Sequence, residues 1–569
     1  MGFNALRSGM MVLLLIFLYG CAGHSAFTQA VIDRNDAFID TYLAEGNDVD
    51  EPDGFGITAL YQAVSQGDSY LSQKLLDAGA DPNAVVGELG NRPLMAAVRA
   101  SQNNAQLTSL LISAGADPNV ADIYGFSPLK IAVGDDRPDV ARLLIDAGAD
   151  VNELTGDATP LMIAAQSKYS DMVRLLLARG ADVSIKRETT KKQYTALYYA
   201  VELRGWEAAE ALYPRMVNRD APGVPRTREF MEQQQQVIVD MLLSAGADPN
   251  GVSSDNEHTI LTLAVSNPAE PSLIETLLLA GADPNMPKGN GMYPLYISTG
   301  VEEDTTERTE ILLSYGADVD ARNGKEKWTA LFYAVQYNRL AALKVLLAAG
   351  ADASIGSAKG YTPVYQAAFK GHDEAFDYLL ASGVDVNTVN GANGWTPLHA
   401  ASDKGQIDIA RKLIAAGADV NKRSKEGYTA IYFAAKSEVE TKPIVEMLIA
   451  VGADVNSRNN GYYAVHMAAN GGYYEIVQLL LEAGANPNLQ DKDGDTALDH
   501  RDGQGLPENH RLSPAIWRSC EQLQEGQFGG VVRQNFRNCG HRRDCGGCRH
   551  SNGKFARCNE CSCQGYLGR

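Results

Sequence analysis

The sequence predicts an all-α repeat solenoid, and three observations lead to that prediction. The chain has 569 residues, several times more than one hydrophobic core normally supports, so either several domains or one repetitive array is expected. The string Gly-Ala-Asp-x-Asn, or a close variant, begins twelve times at intervals of 32 to 36 residues, apart from one interval of 66. Apolar residues make up 45% and charged residues 21% of the chain, which excludes a largely disordered protein.

The N-terminal residues predict a lipoprotein signal peptide over residues 1–20. Arg7 precedes the apolar run of residues 10–18, which is too short to span a bilayer. Leu18-Tyr19-Gly20-Cys21 resembles the lipobox of bacterial lipoproteins, so the resemblance implies lipidation of Cys21, a tether over residues 21–29 and, because Ala22 is not Asp, an outer-membrane anchor. The lipid anchor would place the protein in the cell envelope, facing the periplasm or the cell surface. An ordinary cleaved signal peptide is the alternative, and both interpretations export the protein.

The residue pattern of each repeat predicts two helices and a turn. In the clearest copy Thr396 can cap a helix by accepting backbone N–H groups, and Pro397 suits the first helical turn. A second helix with one apolar face follows at Ile407, Ile409, Ala410, Leu413 and Ile414. Gly417 then supplies a left-handed cap. Such a unit can bury its apolar face only against its neighbours, which predicts a stack.

A second signature follows each Gly-Ala-Asp string by 12 to 13 residues, seen best as Gly394-Trp395-Thr396-Pro397-Leu398-His399-Ala400-Ala401. Together the two signatures resemble the ankyrin repeat over residues 30–505. The resemblance implies about 12–13 helix-turn-helix units with finger loops, and a role in binding other proteins. Residues 30–45 are expected to form a capping helix at one end, and residues 493–500 to begin a repeat that is not completed.

The charge of the chain argues against nucleic acid as a partner. Its 50 Lys and Arg residues stand against 70 Asp and Glu residues, a formal net charge of −20. Eleven of the Asp residues, from Asp81 to Asp454, occupy the same turn position of the repeat. The acidity is therefore interpreted mainly as a property of the repeat.

One repeat, beginning near Tyr194, is twice the normal length. Its first helix is predicted to continue through residues 206–212 and its second to run from Arg228 to Leu243, so that residues 206–236 form a projecting helical hairpin. A degenerate extra repeat is the alternative. The preceding finger is three residues longer than the others and carries four basic residues: Lys186, Arg187, Lys191 and Lys192.

Aromatic residues recur at the finger position just before the helix-capping residue: Phe126, Tyr194, Trp328, Tyr361, Trp395, Tyr428 and Tyr462. The resemblance implies that this position lies on a concave binding face, so these residues are predicted to be exposed and to bind a partner. The alternative is that they only pack the fingers. His399 and His466, at the start of the first helix, are expected to be structural hydrogen bonders.

The tail, residues 506–569, differs in composition from the array. Six cysteines lie close together: Cys539, Cys545, Cys548, Cys558, Cys561 and Cys563. An exported chain favours disulfide bonds between them, while the spacing of Cys545-x-x-Cys548 and Cys558-x-x-Cys561 is also that of a zinc site. A redox-active Cys545–Cys548 pair is the third possibility. Cys520 is left over.

The chain contains no nucleophile elbow, phosphate-binding loop or zincin motif. The sequence therefore predicts a lipid-anchored, exported scaffold that binds another protein and needs no cofactor and no metal in the array. The alternative functions are a metal or thiol function in the tail, with the solenoid as a binding arm, and an enzyme site on the projecting hairpin.

Overall fold

The computed structural model describes residues 23–154, 158–189, 192–202, 228–252, 258–266, 271–300, 306–437 and 441–503. Within these residues the chain forms 27 helices and one two-stranded hairpin. The first 26 helices follow one another as 13 pairs. The prediction of an all-α repeat solenoid with about 12–13 units is therefore confirmed. The chain divides into two compact units, Met1–Asp419 and Val420–Arg569.

The helices and strands of the first unit are α1 Ala26–Ile32, α2 Asp36–Ala44, α3 Ala59–Ser65, α4 Ser69–Asp77, α5 Pro93–Arg99, α6 Asn104–Ser113, α7 Pro128–Gly134, α8 Pro138–Asp146, α9 Pro160–Gln166, α10 Ser170–Ala178, β1 Arg187–Thr189, β2 Lys192–Tyr194, α11 Ala196–Val201, α12 Arg228–Ser244, α13 Ile260–Ser266, α14 Pro271–Leu279, α15 Pro294–Ser298, α16 Glu307–Ser314, α17 Ala330–Gln336, α18 Leu340–Ala348, α19 Pro363–Lys370, α20 Asp373–Ala381, α21 Pro397–Lys404 and α22 Ile407–Ala415.

The second unit contains α23 Ala430–Lys436, α24 Lys442–Ala450, α25 Ala464–Gly471, α26 Tyr474–Glu482 and α27 Ala497–Gly503. Odd-numbered helices begin the repeats and even-numbered helices complete them. The residues after α27 lie outside the described ranges, so the incomplete repeat predicted at residues 493–500 stays a prediction.

The first helix of a repeat begins where a threonine hydroxyl caps it. Thr396 Oγ1 accepts the backbone N–H of His399 at 3.3 Å, and Pro397 occupies the first turn of α21, as predicted. The same cap begins other first helices of this unit at Thr58, Thr159, Thr195, Thr329 and Thr362. After α22, Gly417 has a φ of +85°, a left-handed conformation that glycine adopts without steric cost.

The core is built from one face of each helix. In α22 the residues Ile409, Ala410 and Leu413 are buried, whereas Ile407 and Ile414 lie at its edge. This is the apolar face that the spacing predicted. None of the helices in the described ranges has the length and apolar character needed to cross a membrane.

The tether predicted for residues 21–29 is wrong from Ala26 onward. Ser25 caps α1 by accepting the backbone N–H of Thr28, and Phe27 is only 1% exposed. The ring of Phe27 stacks on Tyr42 in α2, with 4.0 Å between centroids. The end of the array is therefore a pair of helices rather than the single helix predicted over residues 30–45.

Asparagine side chains connect successive turns. Asn285 Oδ1 accepts the backbone N–H of Asp318 at 2.7 Å, and its Nδ2 donates to the carbonyl of Gly316 at 3.0 Å. Asparagines at the equivalent position make the same two bonds in both units: Asn83, Asn119, Asn152, Asn250, Asn387, Asn421 and Asn456. We call this row of bridges the asparagine ladder.

The ladder is interrupted where serine replaces asparagine, and it is reduced to the accepting bond where aspartate does so, at Asp50 and Asp320. Ser184 Oγ donates to Asp182 within its own turn, at 2.7 Å, and Ser354 also stands at a ladder position. The aspartates of these turns accept the backbone N–H two residues later, for example Asn83 to Asp81 at 2.8 Å. Such turn bonds give the recurring aspartates a structural role, in line with the interpretation of the acidity as a property of the repeat.

The first helix of the long repeat does not continue as predicted. Helix α11 ends at Val201, and Glu202 is extended with a ψ of 123°. The carbonyls at this helix end accept side-chain hydrogen bonds instead, from Lys168 Nζ to Tyr199 at 3.0 Å and from Gln235 Nε2 to Val201 at 3.0 Å. The second helix, α12, has 17 residues, as expected for a lengthened helix. Residues 206–227 of the predicted hairpin lie outside the described residues.

Candidate functional site

Each finger is closed by a hydrogen bond that fixes its last residue. The N–H of Asn323 donates to the carbonyl of Trp328 at 2.8 Å, and the N–H of Ser357 donates to that of Tyr361 at 2.9 Å. Asn390 and Trp395 are joined in the same way at 2.9 Å. The backbone of the aromatic position is therefore fixed immediately before the first helix of each repeat begins.

Four of the seven finger aromatics pack on a ring four residues later in the chain. Tyr361 stacks on Tyr365 with centroids 5.2 Å apart and an interplanar angle of 16°, and Trp328 lies 5.2 Å from Phe332. The same spacing joins Tyr194 to Tyr198 at 4.5 Å, and in the second unit Tyr428 to Tyr432 at 4.7 Å. The aromatics pack on the helix of their own repeat, a contact that the sequence analysis missed although the four-residue spacing was visible.

All seven predicted partner-binding residues are half-buried rather than fully exposed. Phe126 is held by its backbone N–H, which donates to Asp122 Oδ1 at 2.9 Å. In the second unit Tyr462 donates to Asp493 Oδ2 at 3.1 Å, with Lys492 Nζ 5.0 Å from its ring centroid. The residues thus combine a packed side with an accessible side.

A second group of aromatics lies on the first helices α15 and α17 or directly after them. Tyr296 lies 4.8 Å from Tyr333, and Tyr333 lies 4.6 Å from Tyr337. Tyr337 is 52% exposed. Burial raises the pKa of Tyr296 to about 12, so its hydroxyl is neutral and can donate a hydrogen bond. This group widens the aromatic surface beyond the fingers.

The two histidines at the helix start have structural surroundings. His399 is 1% exposed, and its Nδ1 accepts the backbone N–H of Thr396 at 3.0 Å. His466 Nε2 is 3.0 Å from the carbonyl of Leu489. Its Nδ1 has no hydrogen-bond partner within the described part of the chain, because Tyr463 stands where the threonine cap stands in other repeats. Burial lowers the pKa of His466.

Asp491, Asp495 and His500 are close enough together to be considered as metal ligands. However, Asp491 Oδ1 already accepts the N–H groups of Asp493 and Asp495, at 2.8 and 3.0 Å, and its Oδ2 is 2.7 Å from His500 Nε2. The carboxylate of Asp491 is therefore already engaged in the hydrogen bonds that form the turn of a finger.

Cys21 and the six tail cysteines, Cys539, Cys545, Cys548, Cys558, Cys561 and Cys563, lie outside the described residues. Lipidation, disulfide bonding and metal binding at these positions stay predictions. The boundary of the array at residue 505 also stays a prediction.

Comparison with known proteins agrees with this geometry. A family model described as ankyrin repeats, which itself comprises three copies, matches seven segments, with a gap between the fourth and the fifth: 27–122, 70–155, 94–187, 153–221, 261–357, 343–424 and 412–491. These segments cover more than half of the chain.

Two curated proteins share part of this sequence. Ankyrin repeat protein nuc-2 of Neurospora crassa is 30% identical over 136 residues, which is 24% of this chain and 12% of that protein. The E3 ubiquitin-protein ligase KEG of Arabidopsis thaliana is 34% identical over 86 residues, 15% of this chain and 5% of the ligase. The chain thus matches only a small part of the length of either relative. From the family match and the 13 successive helix pairs, the chain belongs to the ankyrin repeat family.

Proposed function

We propose that this protein is a non-enzymatic scaffold that holds another protein against the finger aromatics of its first unit. The observation that carries the proposal is the arrangement of Trp328, Tyr361 and Trp395, which are fixed at the backbone and half exposed. Aromatic side chains of this kind give large contact area and are enriched at binding hot spots.

Preorganisation supports this proposal. A side chain that is free before binding loses about 0.5–1.5 kcal/mol of conformational freedom when it is immobilised in an interface. The rings of Trp328 and Tyr361 already pack on Phe332 and Tyr365, so a smaller part of that cost falls on binding. Their accessible faces then contribute to affinity through contact and desolvation.

Replacing Trp328, Tyr361 and Trp395 together by Ala is expected to weaken partner binding by about 100-fold or more, because truncating hot-spot residues costs about 2 kcal/mol or more each. The measurement is crosslinking and pull-down from the cells that make the protein, with circular dichroism to verify folding. The control is Tyr70→Ala with Tyr474→Ala, since these aromatics are exposed on second helices, 65% and 45% respectively. Retention of the same crosslinked proteins by the triple variant would contradict the proposal.

We further propose that the protein is a lipoprotein anchored in the outer membrane through Cys21. The support is the sequence Leu18-Tyr19-Gly20-Cys21 directly after an apolar run. A lipid on this residue would hold the array at the membrane surface within the cell envelope.

Cys21→Ala is expected to move the protein from the membrane fraction to the soluble fraction, because the variant has no thiol for lipid attachment. Cell fractionation with immunodetection measures the distribution. Cys520→Ala removes a cysteine outside the lipobox and is expected to leave the protein with the membranes. Membrane association of Cys21→Ala equal to that of the unaltered protein would exclude this anchor.

A further inference from the structure

Three successive fingers of the first unit are basic although the chain is acidic. Residues 286–292, 321–328 and 354–361 carry five basic residues against Glu326, a net charge of +4: Lys288, Arg322, Lys325, Lys327 and Lys359. By contrast the four fingers at residues 51–57, 86–92, 121–127 and 153–159 have six acidic residues and one basic residue, a net charge of −5. The charge of these three fingers is therefore opposite to that of the four acidic ones. The finger before the lengthened repeat, with Lys186, Arg187, Lys191 and Lys192, is also basic.

The basic fingers are in direct contact with one another. The N–H of Gly324 donates to the carbonyl of Gly291 at 3.0 Å, and the N–H of Ala358 donates to that of Glu326 at 2.7 Å. Arg322 Nη2 donates to the carbonyl of Gly356 at 2.8 Å, which links the second of these fingers to the third. The lysines of neighbouring fingers thus belong to one continuous surface.

The lysines of this surface are available to a ligand. Lys325, Lys327 and Lys359 are exposed and form no ion pair within the residues that the structure describes. Some other lysines of the first unit are paired, such as Lys74 with Asp40 and Lys412 with Asp377, each at 2.6 Å. Lys325, Lys327 and Lys359 are thus exposed, unpaired cations on one surface of a chain with excess carboxylates.

Aromatic rings lie next to these cations. Trp328 follows Lys327 directly, and Tyr361 is separated from Lys359 only by Gly360. Both rings are half-buried and packed from behind. We call Lys325, Lys327 and Lys359, with Trp328 and Tyr361, the basic finger patch.

We propose that the basic finger patch binds an acidic peptide segment of the partner protein, with the partner's carboxylates on the lysines and its apolar side chains on the rings. This inference rests on the proposed scaffold function and specifies the chemistry of the partner. Charge complementarity carries it, because opposite potentials steer association and exclude partners of like charge. A long polyanion such as nucleic acid would extend beyond the patch and be repelled by the acidic fingers within residues 51–159 and by the net charge of −20.

The test uses the full-length protein and three labelled probes, with fluorescence anisotropy as the measurement. The probes are a short peptide rich in Glu, Asp and Leu, its counterpart with Gln and Asn, and a single-stranded oligonucleotide of equal charge. The acidic peptide is expected to bind at least about tenfold more tightly than the neutral peptide, and less tightly as salt is added. Equal binding of both peptides, or tighter binding of the oligonucleotide, would overturn the proposal.

Substitutions locate the binding. Changing Lys325, Lys327 and Lys359 together to Glu is expected to weaken the binding of the acidic peptide by about 100-fold. Changing all three to Arg is expected to retain binding, because the positive charge is kept. A control with the same change in net charge reverses exposed arginines on second helices: Arg142→Glu, Arg174→Glu and Arg411→Glu. Equal loss in this control would show a general charge effect and would also overturn the proposal.

Crosslinking with the native partner separates this inference from the proposed function. If the lysine-to-glutamate variant captures the same proteins while the aromatic variant loses them, the acidic partner is wrong and the scaffold function stands. If both variants capture the same proteins, the scaffold function on these fingers is wrong as well. Loss of these proteins from both variants would support both the scaffold function and the acidic partner.

Discussion

Replacing Lys168 by Met is expected to lower the free energy of unfolding of the repeats around α11 by about 2–4 kcal/mol. Lys168 is only 6% exposed, and its Nζ donates to the carbonyls of Tyr199 at 3.0 Å, Glu202 at 3.4 Å and Ala200. Methionine fills a similar volume but has no donor. The variant would therefore remove the hydrogen bonds from Lys168 to the end of α11, whereas those from Gln235 to Ala200 and Val201 remain.

The same residue gives the stability a pH dependence. Burial lowers the pKa of Lys168 from 10.5 to about 7, and the nearby Glu202 offsets only part of this effect. Between these values the unfolded chain binds more protons than the folded chain, so stability rises as the pH increases, by up to about 1.4 kcal/mol per pH unit. Below about pH 7 the full cost of burying the charge remains. Lys168→Met is expected to lack this rise.

Hydrogen exchange of α9 to α12 from pH 6 to pH 10, compared with thermal melts, measures both effects. A local probe is needed because repeat arrays do not always unfold as one cooperative unit. Lys370→Met is the matched control, since Lys370 is exposed in the last turn of α19, and its effect is expected to stay within about 0.5 kcal/mol. Parallel pH curves for the unaltered protein and Lys168→Met would contradict the assignment.

Asn459→Ala is expected to destabilise the second unit by about 2–3 kcal/mol, because it leaves a buried donor without its acceptor. Asn459 is fully buried, and its Oδ1 accepts both the backbone N–H and the hydroxyl of Thr429, at 2.8 and 3.0 Å. Its Nδ2 also donates to the carbonyl of Ser457 at 2.6 Å. The loss should appear first at the start of α23.

Urea unfolding followed by hydrogen exchange of α23 to α26 measures this loss. Asn488→Ala makes the same chemical change in the same unit, but the Asn488 side chain has no hydrogen bond in the described part of the chain, so little effect is expected. Equal protection of α23 in Asn459→Ala and in the unaltered protein would show that the bond network around Thr429 contributes nothing measurable.

Features decided by neighbouring residues were predictable from the sequence. The cap at Thr396, the proline in the first turn of α21 and the left-handed Gly417 each depend on local backbone geometry, and all three are observed. The number of helix pairs followed from the period of the Gly-Ala-Asp string. For the candidate site, the finger positions could be predicted from the repeat pattern, but the burial of the aromatic rings at those positions could not.

Features decided by distant residues were not predictable in this way. Helix α11 ends at Val201 because Lys168 and Gln235, more than 30 residues away on either side, satisfy its last carbonyls. Helix α1 forms because Phe27 packs on Tyr42, a contact that proximity to the lipobox gave no reason to expect. Both depend on tertiary contacts that override the local pattern.

The asparagine ladder also makes the links between neighbouring repeats of the first unit unequal in their number of hydrogen bonds. Every bridge joins one turn only to the next, so mechanical continuity along the array is a series of links between neighbours. At Ser184 and Ser354 a link lacks the paired asparagine bonds. Asp50 and Asp320 provide only the accepting half of the bridge. The links along the first unit are therefore unequal, and at the link directly before the lengthened repeat the bonds from Lys168 to the end of α11 connect the neighbouring repeats instead.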